Sequence, residues 1–93
     1  MGIVNYRMSA HAELSLAERQ IPRYVVDAVM DAPQQQVDAK NGCVARQSVF
    51  EVEGRAFLVR VIVDLRRSPV EVLTVYRTTN IDKYWVAEGG EAP

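Results

Sequence analysis

Histidine, arginine and tyrosine can move protons and hold anions without a metal, and this chain spaces a few of them suggestively. Histidine is the residue type that exchanges protons near neutral pH, and His11 is the only one present. Arg19 follows it by two helical turns, offset around the axis. The positions three and four residues from Arg19 hold Ser15, Leu16, Pro22 and Arg23, so no acid pairs with it along the helix. Far downstream, Tyr76 and Arg77 end an apolar run, with Lys83 and Tyr84 shortly after. Arg60 interrupts another apolar run, as does Asp64. A proton carrier, a phenol and guanidinium groups together suit anion recognition or acid–base chemistry at a phosphate. Each also has a plainer role. His11 could bond a backbone carbonyl or Glu18, and Arg19 could pair with a distant acid. Tyr76 could pack in a core with its hydroxyl at the rim, and Arg60 and Asp64 could pair across strands.

The elements that must position these groups follow from periodicity and punctuation. Residues 1–7 form a lead-in, a strand or an extended arm around Ile3, Val4 and Tyr6. Ser9 suits an N-cap, and Ala10–Arg19 reads as a helix. Its core face is expected at Ala10, Leu14, Ala17 and Ile21, with His11, Ser15 and Glu18 on one margin. Pro22 opens a second helix to about Ala32, with Val25, Val29 and Ala32 inward, and Pro33 stops it. The glutamines at 34–36 read as a loop. From there the period becomes two: strands at 37–39, 43–52, 56–64 and 70–78, separated by Asn-Gly, Glu-Gly-Arg and Arg66–Pro69 turns. The strand at 56–64 is the most apolar and is expected at the centre. Asn80 or Thr79 caps a last helical turn through Trp85. The result is a single α+β domain over 1–87: two N-terminal helices packed on a four-stranded antiparallel meander sheet, with a short C-terminal helical turn. Residues 88–93 are expected to form a disordered tail.

Alternation adds one constraint on the chemistry. Thr74, Tyr76 and Thr78 share one strand face, while Leu73, Val75 and Arg77 share the other. Adjacent Tyr76 and Arg77 therefore belong to opposite faces unless a bulge intervenes.

Composition narrows the function classes. The chain has 93 residues, 48% hydrophobic and 25% charged, which fits one globular domain. Eleven basic against twelve acidic residues give a net charge of −1, which argues against a broad polyanion-coating surface. Arginine supplies nine of the eleven cations, so local anion binding stays open. One cysteine, Cys43, and one histidine are too few for a zinc site, so no metal or cofactor is expected. Cys43 is expected to pack as a small apolar residue. The apolar runs are too short to cross a bilayer, and no apolar signal core follows Met1, so a cytoplasmic protein without membrane contact is expected.

The motifs Ser9-Ala10-His11-Ala12, Glu18-Arg19-Gln20-Ile21, Thr74-Val75-Tyr76-Arg77-Thr78 and Lys83-Tyr84-Trp85 resemble, in order and spacing, the domain-of-unknown-function family 4258 of bacteria and archaea. That family is similar to the RelE/ParE-like toxin superfamily, whose ribonucleases work without a metal on a two-helix, antiparallel-sheet scaffold. The resemblance implies a toxin-like protein of a two-gene system, cleaving RNA by attack of the 2′-hydroxyl on the neighbouring phosphate and neutralised by a small antitoxin-like partner. In it His11 is the general acid or base, Arg19 and Arg77 hold the scissile phosphate, and Tyr76 orients it or donates a proton. Arg60, Lys83 and Tyr84 are expected to contact the substrate. Many relatives carry an arginine one turn after the histidine, where this chain has Ser15. The rival expectations are a non-catalytic protein-binding or dimerisation module, with a homodimer as one form, and a small-anion or nucleotide binder using Arg19 and Arg77.

Overall fold

The computed structural model describes residues 5–87, so Ile3 and Val4 of the expected lead-in and the expected tail at 88–93 lie outside the described residues. In chain order the elements are β1 (Tyr6–Met8), α1 (Ala10–Arg19), α2 (Arg23–Asp31), β2 (Gln35–Asp38), β3 (Val44–Val52), β4 (Arg55–Asp64), β5 (Val70–Thr78) and α3 (Ile81–Tyr84). The fold is α+β, but the sheet has five strands in the order β1-β5-β4-β3-β2 and is mixed rather than a four-stranded antiparallel meander. The four C-terminal strands do form the expected antiparallel succession, with β4 at the centre. The difference is β1, which pairs parallel with β5 through Tyr6↔Val70, Arg7↔Glu71 and Met8↔Val72. A strand is one of the two expectations for residues 1–7, but three residues are too few to announce which sheet edge they join. β2 also starts earlier than expected, inside the glutamine run. Lys40–Gly42 is a single 3-10 turn in which Asn41 (φ 59°) and Gly42 (φ 77°) adopt left-handed backbone, as an Asn-Gly pair can.

The helices cover one face of the sheet. Val59, Val61 and Val63 of β4 meet Val72 and Val75 of β5 beneath Val26, Val29 and Met30 of α2 and Ala12 and Leu16 of α1. Both helices are rotated from the expected orientation. In α1 the buried residues are Ala12, Ser15 and Leu16, whereas Leu14 is 53% exposed and Ala10 and Ala17 are exposed. In α2 they are Val26, Val29 and Met30; Val25 is half-buried, and Ala32 is exposed beyond the helix end.

The reason for the rotation of α1 is the strand edge it covers. β1 reaches only Val72, leaving later carbonyls of β5 without a strand partner. The Ser9 backbone N–H donates to Val72 O at 3.0 Å, Ser9 Oγ to Leu73 O at 3.1 Å, and Arg19 Nη1 to Val75 O at 2.8 Å. Ser15 Oγ lies 3.3 Å from Thr74 Oγ1. Such close approach takes small and hydrogen-bonding residues, so Ala12 and Ser15 turn inward in place of Leu14.

β5 carries a bulge. Ile62 pairs with Thr74 but Val63 with Val72, which makes Leu73 the extra residue. Leu73 therefore does not share a face with Val75, contrary to simple alternation. Beyond it, Tyr76 and Arg77 do lie on opposite faces, with Tyr76 paired to Arg60 and Arg77 to Val59.

Two measurements test this framework. Ser9 Oγ both accepts the Ala12 N–H at 3.0 Å and caps β5, so Ser9→Ala should lower unfolding free energy by about 1–2 kcal/mol in urea titrations. Asp64, buried at the end of β4, accepts from the Arg66 Nε at 2.9 Å and its backbone N–H at 3.0 Å. These bonds from Arg66, side chain first, hold the Asp64 carboxyl below its ordinary value. A lowered carboxyl stabilises the fold above the unfolded-state value, roughly pH 4, and that stability is lost as pH falls below it. Asp64→Asn should therefore lower the urea midpoint at neutral pH, and the gap to wild type should close on acidification below about pH 4.

Candidate functional site

The face of the sheet away from α2 carries a row of polar side chains set by strand register. Gln35 of β2 stands opposite Gln47 of β3, Gln47 opposite Arg60 of β4, and Arg60 opposite Tyr76 of β5. The side chains bond in the same sequence. Gln47 Nε2 donates to Gln35 Oε1 at 2.8 Å, Arg60 Nε donates to Gln47 Oε1 at 2.8 Å, and Arg60 Nη1 donates to the Tyr76 hydroxyl. Gln47 is fully buried and Arg60 only 9% exposed. No carboxylate pairs with Arg60 among the described residues. Its charge is instead met by neutral oxygens and by the Tyr84 ring, whose centroid lies 4.3 Å from Cζ.

The row also holds the C-terminal segment. Gln47 Nε2 donates to Tyr84 O at 3.2 Å. The Gln35 amide takes Val86 at both ends, donating to its carbonyl at 2.6 Å and accepting its N–H at 3.1 Å. Tyr84 meets Tyr76 edge-on at 6.0 Å between centroids, and Lys83 Nζ lies 5.3 Å from the Tyr84 ring.

Above the row opens a cleft of ≈ 710 Å³. His11 of α1, Arg60, Thr74, Tyr76, Lys83 and Tyr84 line it, with Asp38 and Lys40 towards the β2–β3 turn. Among the described residues its cations, Lys40, Arg60 and Lys83, outnumber its one carboxylate, Asp38, so their field favours anions. Burial, followed by the nearby Tyr84 phenol, raises the pKa of Tyr76 against the opposing pull of Arg60. Tyr76 stays neutral near pH 7 and can donate a proton or a hydrogen bond. His11 is exposed, and among the described residues only its backbone carbonyl is bonded from a side chain, by Ser15 Oγ at 2.9 Å. Its imidazole has no hydrogen-bond partner among the described residues.

The expected site residues divide into two groups. His11, Arg60, Tyr76, Lys83 and Tyr84 share the cleft. Arg19 and Arg77 do not line it. Arg19 is bonded to β5 at Val75 O, as a structural cap. Arg77 lies over the Phe57 ring at 5.4 Å on the α2 side, in an apolar groove of ≈ 290 Å³ with Tyr24 and Val52. Ser15 is 2% exposed and packed against β5, so the position one turn after His11 lies inside the packing and not on the cleft wall. Gln35 and Gln47 were not foreseen from sequence. A glutamine opposite Arg60 in the next strand was the available signal, and it needed the register to be seen. Cys43 is buried, as expected, and its surroundings include the cleft wall. Among the described residues no three His, Cys, Asp or Glu side chains cluster so as to hold a metal ion, and no helix is long and apolar enough to cross a membrane.

No protein-family profile matches this chain, and neither the curated proteins nor the solved structures searched contain a match.

The row predicts its own energetic signature. Gln47→Leu keeps the volume but strands Arg60 Nε and removes the donor to Gln35 and Tyr84. It should cost roughly 1–3 kcal/mol of unfolding free energy, measured by urea titration, and should shift the emission of Trp85, which adjoins Tyr84.

Proposed function

We propose that the cleft binds a phosphodiester of RNA and that the protein is a toxin-like, metal-independent endoribonuclease of a two-gene system. One observation carries the reading: the chain's only histidine shares a cleft with a guanidinium, and among the described residues no side chain engages the imidazole and no carboxylate neutralises the guanidinium. The motif likeness to family 4258, itself similar to the RelE/ParE-like toxins, and the arrangement of helices on a largely antiparallel sheet support it. In this reaction His11 takes the proton of a ribose 2′-hydroxyl, and the freed oxygen bonds to the adjacent phosphorus. The bond from phosphorus to the 5′-oxygen breaks, leaving a 2′,3′-cyclic phosphate. Tyr76 delivers a proton to the departing 5′-oxygen and regains one from the histidine through solvent. Arg60 and Lys83 offset the charge that builds on the phosphoryl oxygens. The matching partner is a small antitoxin-like protein.

The second reading is a binding module of the same fold without catalysis, either for a protein partner or as a homodimer. It is favoured by the placement of Arg19 and Arg77, two of the four groups expected to act on the phosphate, outside the cleft.

Induced expression and in vitro cleavage separate the two. The enzyme reading expects growth arrest that His11→Ala relieves, with RNA cleavage reduced by about 10²–10⁴-fold. Tyr76→Phe should also slow cleavage, whereas Arg77→Ala, on the other face, should leave it unchanged. A wild-type protein that neither arrests growth nor cuts RNA leaves the binding module.

A further inference from the structure

Arg60 is held in a way that dictates how it can meet a ligand. Its Nε donates to Gln47 and its Nη1 to Tyr76, the residues directly opposite it on the two flanking strands. The guanidinium plane is thus fixed by sheet register. It cannot swing round to meet a ligand, the way a mobile arginine does. What it offers is a flat cationic face and the one terminal nitrogen, Nη2, with no protein partner among the described residues. Cζ lies over the Tyr84 ring, 4.3 Å from its centroid.

Tyr84 reaches the face on a segment with little main-chain anchorage. No strand pairing among the described residues ties α3 to the sheet. The holds described above are the side-chain amides of Gln47 and Gln35 on the backbone of Tyr84 and Val86. A stacked ring on a segment held by side chains is an occupant that can be exchanged.

We infer that the face of Arg60 is a nucleobase platform, and that the Tyr84 ring is its resting occupant, displaced when a nucleotide enters. This rests on the phosphate-binding reading of the cleft and gives that reading a ligand class. A nucleobase has the π surface that Tyr84 supplies, and a guanidinium plane is a standard stacking partner for an unpaired base. The phosphate of the same nucleotide needs a cation beside the platform, and Lys83 Nζ, 5.3 Å from the Tyr84 ring, stands there. The unit recognised is a single-stranded nucleotide, because a base stacked within a duplex has no free face to give.

The test is calorimetric titration of the whole protein with adenosine 5′-monophosphate, adenosine, ribose 5-phosphate and inorganic phosphate, with the emission of Trp85, the only tryptophan, followed in parallel. The nucleotide should bind at least ~10-fold tighter than ribose 5-phosphate and change the emission, which inorganic phosphate should not. Tyr84→Ala, which empties the platform, should tighten nucleotide binding, while Arg60→Lys should bring it down to the level of ribose 5-phosphate. Circular dichroism checks that Arg60→Lys is folded, and if it is not, Tyr84→Ala decides alone. Equal affinity for nucleotide and ribose 5-phosphate, or weaker nucleotide binding in Tyr84→Ala, overturns the platform while leaving the phosphate site standing. Binding of adenosine without either phosphate probe upholds the platform and removes the phosphate site. Failure of all four probes to bind overturns both.

Discussion

A guanidinium in the middle of the central strand, on the face the two long helices leave uncovered, is the constraint to which that face answers. Removing such a charge from water costs several kcal/mol unless other groups replace the lost solvation. A carboxylate would do it by forming an ion pair and would cancel the charge. Here Gln47 and Tyr76 supply oxygens and Tyr84 supplies a π face, so Arg60 is solvated by the protein and keeps its charge. The solution requires β3, β4 and β5 to hold one register, because a shift of one residue would turn Gln47 or Tyr76 to the other face. Gln47 also donates to Tyr84 O at the end of α3, and Gln35, its partner in the row, holds Val86 just beyond it. Sheet register, charge compensation and the seating of the C-terminal segment are one arrangement.

The opposite edge of the site is set by a different shortage. β1 is too short to cover β5, and α1 takes over where it stops, supplying Ser9 and Arg19 to the exposed carbonyls. An unprotected strand edge invites pairing with other chains, and a helix laid along it removes that hazard. The consequence for function is direct. Arg19 is consumed as a structural donor, while His11, two turns earlier and turned towards the uncovered face, is brought to the cleft wall. The helix has one cation that completes the sheet and one proton carrier that faces the ligand.

These two arrangements explain what was legible in the sequence. The strands from β3 to β5 and their turns were readable because alternation and Asn-Gly or Glu-Gly turns are local signals. The opposite facing of Tyr76 and Arg77 followed from alternation alone. A strand was one expectation for residues 1–7, but the place of β1 in this sheet was not readable, since its partner lies some sixty residues away. The start of β2 in glutamines was hidden for a related reason: those side chains serve a cross-strand ladder, and a ladder exists only once register is known. The inner face of α1 was misjudged because counting apolar residues favours Leu14. A strand edge selects instead for small size and hydrogen bonding, which Ala12 and Ser15 supply. The bulge at Leu73 left no mark in composition at all.

The exchange of Arg19 for Arg60 as the cleft's arginine changes the kind of recognition available. An arginine on a helix face can swing onto a phosphate; one locked between strands must be met where it stands. The remaining cations are lysines, which act as point charges on flexible stems. Three cations from separate elements, facing one carboxylate, make a small positive field inside a slightly acidic protein. Such a field draws an anion to one place without giving the whole surface affinity for polyanions. Discrimination among anions then has to come from shape near Arg60, because charge alone would not distinguish a nucleotide from any other phosphate. The aromatic pair of Tyr76 and Tyr84, edge to face beside a fixed cationic plane, is the part of the cleft with a shape to match.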